Sequence, residues 1–420
     1  MNHLKRLFKT IGPGFITGAA DDDPSGIATY SQTGAMFGLG QLWTTIFNFP
    51  FMVVVQEMCG RIGLVTGKGL AQVLKENYSK KVLYFAVVLL LIANAVNIGA
   101  DLGAMASVLV SLLKMPFALV LFLVTILTLF LEIFVPYPTY AKYLKYLTVS
   151  LLSYVFVAFI VVSDWGEVFS ALVTPNFSFS SNYVMMLAAI LGTTISPYLF
   201  FWQADEEVEE EIAHHKLRAM GKGVPKIGSA DIRQMRMDTL IGMFFSQMVT
   251  FFIISSVAMT LHRAGIYEIN TADEAALALK PLAGDFAFLL FSLGILGTGL
   301  LAVPVLAGSA SYAIGEAFNM RVGLWRKFSR AHGFYGVMTL ATIAGLVVNF
   351  LNVSPFMMLY YSAVLNGIIA PPLLFLIVMI GNNRRIMGEH TNSRWAGFLG
   401  LMIATLMGVV AVSVIYQLFI

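Results

Sequence analysis

Eleven stretches of apolar residues follow one another along the chain, each near the length of roughly 20 residues that a helix needs to cross a bilayer. They cover residues 11–38, 41–64, 82–112, 115–136, 144–163, 183–203, 237–261, 285–317, 332–352, 355–381 and 395–419. In lipid every backbone N–H and C=O must be satisfied within the protein, so a chain with such runs folds as helices. The expectation is an all-α integral membrane protein. Composition agrees: 58% of residues are hydrophobic and 12% charged, where soluble domains carry about a quarter charged.

The distribution of basic residues gives an orientation. With the N-terminus in the cytoplasm, only Lys114, Arg263 and Lys280 of the 26 lysines and arginines fall outside. One helix added or removed would scramble that split. It predicts a multi-pass protein of the cell membrane with the C-terminus outside. The apolar run after the basic opening MNHLKRLFKT reaches DDD within about a dozen residues and shows no small-residue cleavage site, so it reads as a first transmembrane helix and not a signal peptide. The net charge of +3 suggests no nucleic-acid partner, and the lone Cys59 allows no intrachain disulfide and argues against a thiol metal site.

Two spans carry interruptions. The first contains AADDDPSGIATY over residues 19–30, and the sixth contains GTTISPY over residues 192–198. Each has a proline and small residues near its middle, and they lie five spans apart. Discontinuous helices at matching positions in two halves point to a transporter's central site. Where a helix unwinds in the membrane, its freed carbonyls and amides must face protein, water or an ion. The carbonyl end of a half-helix suits a cation.

Three adjacent carboxylates facing lipid would cost on the order of 8–10 kcal/mol. Asp21, Asp22 and Asp23 therefore belong in a polar cavity. Asp23 is the expected cation ligand. Asp21 and Asp22 divide between ligation and capping of the half-helix that begins at Pro24, since Asp before Pro is a good N-cap.

The stretch GPGFITGAADDDPSGIATYSQTGAMFG resembles the first helix of the Nramp family of divalent-metal transporters. LWTTIFNFPFMVVVQEMCGRIGLVTGKGLA is similar to the family's second helix and the turn after it. KYLKYLTVSLLSYVFVAFIV is similar to the fifth helix, and RMDTLIGM and LLAVPVLAGSASYAIGE to the seventh and eighth. The resemblance covers nearly the whole chain. It implies a single transporter domain over 1–420 with a LeuT-type fold. Inverted repeats would span 11–163 and 183–381, with an additional helix at 395–419.

The resemblance also implies a metal site. The motif aspartate falls on Asp23 and the motif asparagine on Gly26. The sixth-helix methionine falls on Ser196, and two histidines fall on Tyr198 and Gln203. Carbonyls that join the site fall on Ala20 and Thr193. A tenth-helix glutamine falls on Ala363, with Asn366 about a turn away. The candidate ligand set is then Asp23, Ser196, Thr193, Ala20, Gly26, Asp22, Gln203 and Asn366. With no thioether, every candidate donor is oxygen, and such sets suit Mg²⁺, Ca²⁺ and Mn²⁺. Gly26 and Ser196 are small and would leave room for a partly hydrated ion. The expected cargo is Mg²⁺ or Mn²⁺ ahead of Fe²⁺, with the metal as substrate and no cofactor.

Family proton coupling runs through acidic residues on the third helix and arginines on the ninth. Here Asp101 holds one acidic position, Ile98 the other, and the ninth span has no charge. Asp101 is a proton-path candidate or a satisfied cavity residue, and coupling is expected to be weak or absent. The run DEEVEEE at 205–211 reads as a solvated helix extension, or alternatively as an exit vestibule. His214 and His215 point about 100° apart on a helix and read as surface residues. Glu57 and Glu132 read as solvated helix ends. No catalytic set is evident, so no enzyme is expected, and the chain reads as a monomer in the bilayer. Two other classes compete: a LeuT-type transporter of an organic substrate such as an amino acid, and a non-transporting scaffold or sensor.

Overall fold

A computed structural model describes residues 12–135, 148–351 and 353–418. The basic N-terminal segment, the ends of the first, fourth, ninth and eleventh expected spans, and the start of the fifth with Lys142 and Lys145 lie outside the described residues.

Helices dominate. Leaving aside four short ones, the α-helices of the described residues are, in chain order, α1 (Pro13–Asp21), α2 (Pro24–Phe37), α3 (Trp43–Thr66), α4 (Leu70–Asn77), α5 (Lys80–Leu113), α6 (Phe117–Phe134), α7 (Leu152–Val161), α8 (Ser181–Thr194), α9 (Pro197–Ala213), α10 (Ser229–Val257), α11 (Ala287–Ala317), α12 (His332–Val348), α13 (Pro355–Asn382) and α14 (Arg394–Leu418). Among the described residues, eight helical stretches are long and apolar enough to cross a membrane, with α8 and α9 taken together. Two of the other expected spans appear as the shorter apolar helices α7 and α12. The first is the broken pair α1–α2.

Both interruptions are where the sequence places them, and their backbones match. Asp22 (φ −86°, ψ 47°) and Asp23 (φ −66°, ψ 172°) separate α1 from α2. Ile195 (φ −126°, ψ 63°) and Ser196 (φ −83°, ψ 135°) separate α8 from α9. In each, a proline takes the first position of the second half-helix, where its missing N–H is no loss. Elsewhere proline leaves the chain helical, as at Pro50 and Pro304.

Backbone contacts fix the half-helices. A Cβ on Gly18 of α1 would lie 2.3 Å from the Gly242 carbonyl oxygen of α10. A Cβ on Gly192 of α8 would lie 2.1 Å from the Ala363 oxygen of α13. Small residues let membrane helices approach this closely. Outward faces carry exposed Phe, Leu, Ile and Val, as at Phe122, Phe130, Leu340 and Val412. That pattern is what lipid contact requires and what a soluble monomer avoids.

Three expectations for charged residues are corrected. Glu132 on α6 is not solvated but buried, accepting from Thr342 Oγ1 of α12 at 3.2 Å. Glu57 is held by Arg61 and Arg236 at 2.9 and 2.8 Å. The acidic run continues α9 to Ala213, yet Asp205, Glu207 and Glu211 are buried. These carboxylates face neighbouring helices, because a continuous helix turns a seven-residue run through every direction. His214 and His215 are exposed, as expected.

Candidate metal site at the first helix break

Unwinding at Asp22–Asp23 frees the first amides of α2, and Asp23 takes them up. Its Oδ1 accepts from Gly26 N at 2.8 Å and from Ser25 Oγ at 2.6 Å. Its Oδ2 accepts from Asn97 Nδ2 of α5 at 2.8 Å. The cap of α2 is thus Asp23, not Asp21 or Asp22. Capping and ligation are compatible, because an ionised carboxylate offers about four lone-pair positions. Asp23 is 1% exposed.

The second break faces this carboxylate. Tyr198, at the start of α9, donates its hydroxyl to Ala20 O at 2.9 Å, with Asp23 Oδ2 at 3.5 Å. Ser196 Oγ turns back on its own half-helix, donating to the Gly192 and Thr193 carbonyls, each at 2.8 Å. The Ala20 and Thr193 carbonyls are therefore held by hydroxyls. A hydroxyl both donates and accepts, so rotation about its C–O bond turns either from a donor into an oxygen ligand. Thr193 Oγ1 has no partner among the described residues.

Gly26 contributes backbone alone, and the space beside it is not open. A Cβ there would meet Thr193 Oγ1 at 3.2 Å and the Asp21 carbonyl and Tyr30 ring at 3.3 Å. The room expected from this small residue is taken up by its neighbours. Gln203 does not join the break: its Oε1 accepts from Thr17 and its Nε2 donates to Glu207 at 2.9 Å. Two turns along α9 from Ser196, it ties that helix to α1. Asn366 reaches Asp23 through one intermediary, donating to Asn97 Oδ1 at 3.4 Å.

Asp21 and Asp22 turn toward α10. Ser246 Oγ lies 2.5 Å from Asp21 Oδ2 and 3.3 Å from Asp22 Oδ1. Asp21 Oδ1 and Asp22 Oδ2 have no partner among the described residues. Asp101 is fully buried one turn beyond Asn97, and neither of its oxygens has a partner there.

Asn97 is the contributor that sequence reading missed. Its signal was present: Asn94, Asn97 and Asp101 recur at i, i+3 and i+7 in an otherwise apolar helix, which puts them on one face. Asn94 fastens that face to α11, donating to the Leu306 carbonyl at 2.8 Å and to Ser309 Oγ at 2.7 Å. No three His, Cys, Asp or Glu side chains among the described residues converge into one cluster. The arrangement around Asp23 is one carboxylate among neutral oxygens, with two amides behind it.

The family model for natural resistance-associated macrophage protein-like (Nramp) chains matches residues 14–417. A Vibrio campbellii protein described as divalent metal cation transporter MntH is 25% identical over 411 residues, 96% of this chain and 91% of that one. A Pectobacterium carotovorum protein of the same description is 26% identical, covering 94% and 91%. The crystal structure of an Eremococcus coleocola manganese transporter superposes with a TM-score of 0.79 at 16% identity, covering 99% of this chain and 88% of that one. The nucleobase-cation-symport-1 family transporter Mhp1 gives 0.56 at 13% identity, covering 96% and 91%. With a family model spanning nearly its whole length, and helix breaks where the motif resemblance expected them, this chain belongs to the Nramp family.

Proposed function

We propose that the protein carries a divalent metal cation into the cell by alternating access around Asp23, with a hard ion, Mg²⁺ or Mn²⁺, as the preferred cargo. The observation that carries this reading is the buried Asp23 carboxylate at a helix break, with the Ser25 and Tyr198 hydroxyls and the Asn97 amide on it and, among the described residues, no thioether or imidazole bonded to it. Oxygen donors favour Mg²⁺ and Mn²⁺ over softer ions. Asp23, the Tyr198 and Ser196 hydroxyls and the Ala20 and Thr193 carbonyls form the proposed ligand set. Asn97 orients Asp23, and Asn366 supports Asn97.

The basic end of the bundle is taken as cytoplasmic. A divalent ion moving inward then gains roughly 4.6 kcal/mol per 100 mV, enough for about a thousandfold gradient. Proton coupling is not needed energetically, and Asp101 is the single third-helix acid that could support it.

The test is uptake into liposomes with a fixed membrane potential, using entrapped Mg²⁺ and Mn²⁺ dyes and a lumenal pH probe. Uptake of Mg²⁺ without acidification, lost in Asp23→Asn, is expected. Mn²⁺ uptake with acidification and no Mg²⁺ uptake would overturn the hard-ion, uncoupled reading. No uptake of either ion would overturn the transport reading itself.

A further inference from the structure

The acidic run of α9 opens onto a cavity whose lining shares no residue with the proposed ligand set around Asp23. It measures about 430 Å³ and lies between the start of α1 at Gly12 and Pro13, α9 and α10. Glu207, Glu210, Glu211, Asp231 and Asp238 line it, against Lys216 and His214. Part of this charge is already answered. Lys216 pairs with Asp231 at 2.7 Å, and His214 lies 3.5 Å from Glu210. Asp238 collects the first amides of α1, from Gly12 at 3.0 Å and Gly14 at 2.7 Å.

Two of the buried carboxylates, Glu207 and Glu211, have neither an ion-pair partner nor a backbone amide among the described residues. Glu207 has one neutral donor, Gln203. Glu211 is 2% exposed, and neither of its carboxylate oxygens has a partner among the described residues. They are four residues apart on α9, so they project from one face a single turn apart. Like charges at that spacing repel, and a buried carboxylate with no partner is costly. A cation in the cavity removes both penalties.

The geometry also says in what form. No three acidic or imidazole groups among the described residues close into a chelate for a bare ion. The volume would hold roughly a dozen waters at about 30 Å³ each. Mg²⁺ gives up its waters reluctantly and is commonly held through one or two carboxylates. We propose that this cavity is a second cation site, separate from Asp23, which holds a hydrated divalent ion between Glu207 and Glu211. An ion there neutralises α9 where it packs beside α10 and the start of α1, so occupancy favours keeping these three segments together.

Equilibrium dialysis of Mn²⁺ against the purified full-length protein in lipid nanodiscs tests this. The set is wild type, Asp23→Asn and Glu207→Gln/Glu211→Gln, each first shown to be monodisperse with a cooperative thermal transition. Two ions per chain are expected for wild type and one for each variant. The ion retained by Asp23→Asn should show the electron–nuclear couplings of a largely complete water shell. A double variant that still binds two ions would overturn the proposal, as would an Asp23→Asn variant that binds none. Wild type binding one ion, kept in Asp23→Asn and lost in the double variant, would uphold this site and remove the Asp23 reading instead. If the double variant fails to fold, Glu211→Gln alone decides. An affinity loss of about tenfold for the hydrated ion is expected from removing one nearby charge, and an unchanged affinity would sink the proposal.

Discussion

At Asp22–Asp23 and at Ile195–Ser196 the chain leaves the helix for two residues and resumes at a proline, yet the two turns satisfy their freed groups in opposite ways. At the first, a carboxylate gathers the amides that open α2. At the second, a hydroxyl gathers the carbonyls that close α8, and no side chain caps α9. All the negative charge is thus at one break, while the other supplies neutral oxygens. In the proposed function, Asp23 draws the cation and the neutral oxygens opposite sort it. Attraction and selectivity are then separable functions of two half-helix junctions, and substitutions at each should separate them.

The largest effect is expected at the charged break. Asp23→Asn should lower divalent-ion uptake about a thousandfold, the order of one lost Coulombic contact at an effective dielectric constant of about 20. Asparagine caps nearly as well as aspartate, so the thermal transition should move by no more than about 1 kcal/mol equivalent. A variant that unfolds instead would show that the second carboxylate oxygen, through its bond from Asn97, is needed for the fold as well as for the ion.

Next come the close approaches that hold each half-helix. Gly18→Ala and Gly192→Ala push a methyl into a backbone carbonyl, and each should destabilise the protein by about 1–3 kcal/mol, read as a lowered thermal midpoint. Equal losses would mean that both junctions are held alike. A loss at only one would mark the other as the junction that yields more readily.

Asn97→Ala leaves Asp23 with its capping donors but without its anchor on α5. Partners that orient a ligand are worth about 10–100-fold in metal affinity, and a loss near tenfold is expected by ion-binding titration. Ser196→Met brings a soft thioether to the neutral break and should shift the Mn²⁺ to Mg²⁺ uptake ratio about tenfold toward Mn²⁺. An unchanged ratio would remove Ser196 from the selectivity argument. The smallest effect is expected for Ser196→Ala, which removes one neutral oxygen of the proposed ligand set and frees two carbonyls: about 1 kcal/mol of stability and a fall in uptake of about fivefold, read in the same liposome assay.

Much of this was legible in the chain. Apolar runs set the spans, and Pro24 and Pro197 set the breaks, because lipid leaves a backbone few alternatives. Other features were hidden for a common reason. Thr342 lies 210 residues from Glu132, and Ser246 lies 225 from Asp21. Neither partner stands out locally, so Glu132 looked like a solvated end and the Asp21–Asp22 pair had no visible neighbour. The short helix α4 and the burial of Glu207 and Glu211 were missed likewise, since a polar run beside a span looks solvated until its packing is known. Asn97 is different: its i, i+3, i+7 stripe with Asn94 and Asp101 was there to be read.

By itself, then, the sequence determined that this chain is a helical membrane protein, where two of its helices break, and that negative charge is concentrated at one break only. Those properties follow from local chemistry: the length of apolar runs, the missing N–H of proline and the cost of carboxylates in lipid. The tertiary structure alone decided which oxygens meet Asp23, that Gln203 binds Thr17 and Glu207 instead of joining the site, and that the glutamates of α9 enclose a cavity with α10. These depend on helices packed at distances of tens to hundreds of residues, through backbone approaches such as Gly18 on Gly242, which no local pattern encodes.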